Sequence, residues 1–247
     1  MGNKEWRTSL LIDEGTQKNP NLQHFVKTSD LLKIDSIYLW GLEGMPNVGP
    51  YAKLTFDTAI FKNEKLFAAP TDVIDAATGT TVSTTGLRLT DGLGSNPMTL
   101  RGSIGAFYKA IAKKHMNLTL SAGLGAMRVW VDGFGIDGNN VVSELQDFTD
   151  YGLVLGLKWS GSLDEKTSYE VGFESLTPFD KQEDDFPTLE DTDLIGATNY
   201  DAYAKIDTKL YDFLSLGYEF RIKKQPKLQK KEQISNLLNL SLTYILL

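Results

Sequence analysis

His24 and His115 are the only imidazoles in the chain, and it contains no cysteine. Disulfides, thiolate metal sites and cysteine nucleophiles are therefore excluded. A general base would have to be one of these two histidines or a carboxylate. Ser29 and Asp30 follow His24 closely, but nothing in their spacing orients the three as nucleophile, base and orienting acid. Gly123-Leu124-Gly125 lies within a strand pattern with no helix after it, so it is not a nucleotide fingerprint. Net charge is −7, which argues against nucleic acid as a partner, because phosphate neutralisation needs a basic face. No cofactor is expected.

Three groups of charges remain. Residues 180–193 carry seven carboxylates in fourteen positions. Asp184, Asp185, Glu190, Asp191 and Asp193 offer the hard oxygen ligands that suit Ca²⁺, although the spacing matches no EF-hand loop. The other reading is a solvated loop. Residues 223–231 carry five lysines in nine positions, Lys223, Lys224, Lys227, Lys230 and Lys231. In an outward loop they would meet lipopolysaccharide phosphates as point charges, or would keep two apolar strands from aggregating. The third group is dispersed: Lys53, Asp57, Arg101, Lys158, Glu170, Glu174, Lys205, Asp207, Glu219 and Arg221 stand within alternating segments.

Those segments are the main signal. Leu238, Leu240, Leu242, Tyr244 and Leu246 alternate with Asn239, Ser241 and Thr243, the period of a strand with one apolar face. The same period holds from Leu214 to Ile222, from Met116 to Leu124, from Tyr151 to Trp159 and from Leu100 to Tyr108. Weaker strands are expected at 5–13, 31–40, 51–60, 65–74, 81–90, 166–175 and 200–209. The total is twelve, with ten or fourteen as alternatives. No run of about 18 apolar residues marks a transmembrane helix.

The connections alternate in length. Counting back from the C-terminus, 223–233, 176–199 and 129–149 are long, whereas 210–212, 161–165 and 110–114 are tight. Outer-membrane barrels have short periplasmic turns and longer outer loops. Both termini would lie in the periplasm, and an even strand count follows; for twelve, 75–80 must be a periplasmic turn. The polar face is rich in small residues, including Ser103, Gly105, Ser121, Gly123 and Gly156. Tyr38, Trp40, Tyr108, Trp130, Tyr151, Trp159 and Tyr244 fall near strand ends, where interfacial girdles stand. The expectation is an all-β chain, a single antiparallel up-and-down transmembrane β-barrel domain spanning 1–247. The opening Met1-Gly2-Asn3-Lys4-Glu5-Trp6 has no apolar h-region, so a signal peptide is expected to have been removed.

Trp6, Lys27-Thr28-Ser29-Asp30-Leu31-Leu32, Phe67-Ala68-Ala69-Pro70 and Pro97-Met98-Thr99-Leu100-Arg101 together resemble an uncharacterised family of Gram-negative outer-membrane barrels catalogued as a domain of unknown function. The resemblance implies an outer-membrane barrel and carries no activity.

The dispersed charges then point into a lumen. They form either an ion-pair network that fills the barrel or a selectivity ring in a small pore. The functional expectation is a non-enzymatic outer-membrane barrel with a structural, partner-binding or small-pore role. Its partners would be outer-membrane lipid, lipopolysaccharide or other envelope proteins. The alternatives are a soluble lipocalin-like barrel binding an apolar ligand and a lipid-modifying barrel enzyme.

Overall fold

The computed structural model describes residues 4–18, 25–61, 63–90, 97–136, 139–181, 193–211 and 214–242. The strands are β1 (Lys4–Lys18), β2 (Phe25–Trp40), β3 (Val48–Thr58), β4 (Asn63–Asp75), β5 (Thr81–Thr90), β6 (Met98–Lys113) and β7 (Met116–Trp130). After these come β8 (Phe134–Ile136), β9 (Val141–Glu144), β10 (Phe148–Ser162), β11 (Thr167–Pro178), β12 (Asn199–Tyr211), β13 (Leu214–Gln225) and β14 (Gln229–Leu242). Among the described residues, no helix is long and apolar enough to cross a membrane.

Ten strands form one antiparallel sheet in the order β1-β2-β3-β6-β7-β10-β11-β12-β13-β14. It is an up-and-down sheet curled into a half-barrel, with β1 and β14 at its edges. Close approach of strands at the bend needs residues without side chains. Gly105 and Gly123 face each other across β6 and β7, and a Cβ on either would run into the other strand's backbone, so only glycine lets the sheet bend tightly there.

The wall has ten strands rather than twelve. Segments 65–74 and 81–90 are strands, but they leave the wall. As β4 and β5 they join β9 and β8 in a separate four-stranded sheet ordered β5-β4-β9-β8. Two features explain the departure. Pro70 in β4 cannot donate to a ladder that must be bonded on both sides. Thr81, Ser83, Thr84 and Thr85 leave β5 without an apolar face. The residues 76–80 are thus the turn of this hairpin and not a turn of the wall. β4 and β9 pair in parallel through Ile74↔Val141 and Asp75↔Val142, so the β3–β6 and β7–β10 connections are stitched together. Asn140, in the left-handed region at φ 62°, begins this contact: its carbonyl accepts the Ile74 N–H at 3.0 Å. Asn tolerates this conformation better than most residues with a side chain.

The last connection also differs. Residues 223–233 were expected to form a long loop. Instead β13 runs to Gln225 and β14 starts at Gln229, leaving 226–228 as a tight turn with Leu228 N–H bonded to the Gln225 carbonyl at 2.9 Å. The remaining long connections, between β3 and β6, β7 and β10, and β11 and β12, share one end of the sheet. The turns after β2, β6, β10 and β12 share the other.

Register separates the two faces. Leu54, Ile104, Leu124, Leu153, Leu155 and Trp159 point away from the concave side and are exposed. Among the strand residues whose side chains are described, the outward charges Lys4, Asp30, Lys113, Arg128, Lys224 and Glu232 lie toward strand ends. Exposed aromatics stand toward both ends: Trp6, Tyr38, Trp40, Tyr108 and Trp159 toward the tight turns, Tyr151 and Phe179 toward the long connections. Eight residues separate Tyr151 from Trp159 on β10, roughly 26 Å of strand at about 3.3 Å per residue. Tilted by about 40°, that spans roughly 20 Å.

Candidate functional site

The concave face carries all ten of the dispersed charges, and some ion pairs there join strands that are not neighbours. Lys53 on β3 pairs with Glu174 on β11. Lys223 on β13 reaches Asp57 on β3 at 3.2 Å. Lys33 on β2 lies 3.7 Å from Asp201 on β12. Such contacts require the curl to bring opposite walls within one side-chain length of each other. Other pairs are local: Lys158–Glu170 at 2.9 Å, Lys205–Asp207 at 3.2 Å and Arg221–Glu219 at 3.3 Å. Arg221 also lies 3.4 Å from Asp201 and stacks over the Tyr203 ring at 5.4 Å. The Tyr203 hydroxyl donates to Glu170 at 2.6 Å, and its ring covers Gly172, where a Cβ would collide with it. This is a cross-strand aromatic filling the gap left by a glycine. Arg101 has its Nε 3.3 Å from the Met127 sulfur.

The end nearest the long connections is filled by apolar packing. Met127, Val129, Phe148, Val154, Leu176 and Ala197 form a buried cluster, and Leu228 packs against it. Within it Lys227 Nζ donates to Asp150 at 2.6 Å, with the two side chains 2% and 0% exposed. The Asn199 amide donates to the second Asp150 oxygen at 3.0 Å, and Lys227 Nζ stands 5.3 Å from the Phe148 ring centre. Below this cluster, Lys53, Thr55, Arg101, Glu174, Leu176 and Asn199 border a void of about 20 Å³, space for about one water molecule.

The lysine segment 223–231 is therefore not an outward loop. Lys223 and Lys227 point inward into ion pairs, because continuing the β13 alternation past Arg221 directs position 223 to the concave side. Lys224 lies outward within β13, and Lys230 and Lys231 belong to β14 rather than to a loop. Of the acidic segment, Asp184, Asp185, Glu190 and Asp191 lie outside the described residues. Asp193 Oδ1 accepts the Gly196 N–H at 2.6 Å and so closes a turn. No group of three His, Cys, Asp or Glu side chains capable of holding a metal occurs among the described residues.

His24 and Tyr244 lie outside the described residues. Asp30, near His24 in sequence, accepts the Ile60 and Phe61 amides at 2.8 and 2.7 Å, which is a structural task. His115 Nδ1 lies 3.3 Å from Ser162 Oγ at the tight-turn end. No carboxylate among the described residues orients its ring.

The interior residues that sequence reasoning passed over are Lys33, Asp35, Asp150, Asn199, Asp201 and Tyr203. Lys33, Asp35, Asp201 and Tyr203 fall on the inward parity of the expected strands 31–40 and 200–209, and Asp150 and Asn199 come one residue before an expected strand. Asp201 and Tyr203 share their parity with Lys205, and Asp150 precedes outward Tyr151.

Comparison with protein-family models, with curated proteins and with solved structures finds no match to the chain.

Proposed function

We propose that the chain is a non-enzymatic β-barrel protein of a bacterial outer membrane, with a filled interior and a structural or partner-binding role. The observation that carries this reading is the inversion of the usual polarity. The convex face is an uncharged apolar band bounded by aromatics near both ends, whereas charges pair on the concave face. A sheet that faces lipid needs this arrangement; a lipocalin-like barrel needs the reverse, with its apolar face turned inward to a ligand. The roughly 20 Å span between Tyr151 and Trp159 is close to the about 25 Å apolar band of such proteins. Long connections at one end suit an outer surface, and tight turns at the other suit the periplasm.

The filled reading of the interior is favoured over a selectivity ring. Ten strands lie between small barrels packed with side chains and the about 16 that leave an aqueous channel. The buried Lys227–Asp150 pair, the apolar cluster around it and the small void beneath support a filled interior at that end.

Two measurements test the proposal. The purified chain is expected to need detergent to stay monodisperse and to insert into lipid vesicles; monodispersity in detergent-free buffer would overturn the membrane reading. In planar bilayers the inserted chain is expected to give no channel events. Regular single-channel steps would replace the filled barrel by a pore.

A further inference from the structure

We propose that a groove on the convex face holds one acyl chain of a phosphate-bearing bilayer lipid, with Arg128 at its end binding the phosphate. The inference rests on the membrane reading above and deepens it. The interior is packed, yet the outer face has a depression of about 540 Å³, within the roughly 300–1,000 Å³ of small-molecule sites. Its floor includes the small residues Ala52, Gly102 and Ala126, and Leu54, Ile104 and Tyr151 form its sides. These are outward positions of β3, β6, β7 and β10. Gly102 leaves the floor open: a Cβ there would meet only Leu54 Cδ1, at 4.0 Å. In the apolar region of a bilayer the only neighbour able to fill such a hollow is hydrocarbon.

Charge identifies the other end of the occupant. Arg128 lies two residues beyond Ala126 on the same face of β7, toward the long connections. It is one of the few outward charges in the described strands, and its side chain is 40% exposed. Its Nη1 donates to Thr149 Oγ1 at 2.9 Å and its Nη2 to Asp147 Oδ2 at 3.2 Å. A guanidinium has five N–H donors, so three remain for a further acceptor. Asp147 is anchored through its other oxygen by the Val131 N–H at 2.7 Å, and an exposed pair of this kind is weak. Asp147 thus orients the guanidinium while taking only one of its donors. Trp130 lies 5.7 Å from the guanidinium carbon, and Tyr151 is beside the groove, so the cation sits among aromatics at headgroup level. Planar, bidentate recognition by arginine suits a phosphate.

Native mass spectrometry of the full chain in detergent micelles, titrated with phosphatidylglycerol, tests this. The wild-type chain is expected to retain one phosphatidylglycerol, and to hold diacylglycerol of the same chain length more weakly. Arg128→Gln should weaken retention of phosphatidylglycerol roughly tenfold or more, the effect of losing charge-assisted hydrogen bonds. Gly102→Leu should weaken it by filling the floor, at a position with room for the side chain. Inorganic phosphate at the same concentration should not displace the lipid. Equal retention by wild type and both variants, equal retention of diacylglycerol, displacement by inorganic phosphate, or a dimer in place of the lipid adduct would each overturn the proposal. A chain that inserts into vesicles but gives any of these results sinks only the groove. One that never inserts sinks the membrane reading first.

Discussion

Lys227 and Asp150 meet at 2.6 Å with both side chains essentially removed from solvent, although two strands of the wall, β11 and β12, stand between β10 and β13, at whose end the turn carrying Lys227 begins. The turn after β13 thus folds over the interior and ties the two sides of the sheet together. Removing one member of a buried pair strands the other charge and typically costs about 3–5 kcal/mol. Lys227→Met should therefore destabilise strongly in urea unfolding from micelles. Pairing it with Asp150→Leu should recover part of the loss. Recovery should be incomplete, because Asp150 also accepts the Asn199 amide. Strictly additive costs for the two substitutions would show that the pair is not coupled.

Tyr203 and Gly172 are matched in the same way across β11 and β12. Gly172→Val would displace the ring and break the 2.6 Å bond from its hydroxyl to Glu170. The expected loss is about 1–3 kcal/mol. In a Tyr203→Ala background the same valine should cost much less, since the ring it displaces is gone. An undiminished cost there would place the clash elsewhere.

Asp164 gives a prediction in pH. Its Oδ1 accepts the amides of Lys166 and Thr167 at 2.8 and 2.6 Å in the turn between β10 and β11. These backbone donors hold its carboxyl below the usual aspartate range. A lowered folded-state value means that the stabilisation is complete above the ordinary aspartate pKa and is lost as pH falls through the folded one. Carboxyl-carbon NMR titration of the folded chain should show Asp164 titrating lower than an unstructured aspartate, and Asp164→Asn should remove the acid-side dependence that it contributes.

Alternation made most of the fold legible. The strands from β6 through β7 and β10 to β13 are read from sequence because every second residue is apolar and the intervening ones are small or charged, and the same parity assigns Lys53, Glu174 and Arg221 to the interior. Two things escaped. Strand pattern does not say which sheet a strand joins, so β4 and β5 read as wall until Pro70 and the threonines of β5 are weighed. Nor does a run of lysines say where a strand stops. The local composition of 223–231 reads as a loop, whereas Lys223 and Lys227 are held inside by Asp57 and Asp150, which lie 166 and 77 residues away. Pairings that distant leave no local trace.

Face assignment is open to a direct test at mid-strand. Leu155 lies on β10 between Tyr151 and Trp159, points outward and is 44% exposed. If the band around it faces hydrocarbon, Leu155→Arg should cost about 2–4 kcal/mol near the bilayer midplane. Asn117 is at the tight-turn end of β7 on the concave parity, opposite Ser160, and is exposed. Asn117→Arg puts the same charge where water reaches it, and its cost should be within about 1 kcal/mol of zero. Refolding titrations into lipid vesicles measure both. A large penalty for Leu155→Arg alone supports lipid on the convex side. Similar small penalties for both would mean that the convex band faces water, and the ion pairs of the concave side would then need another explanation than exclusion from a bilayer.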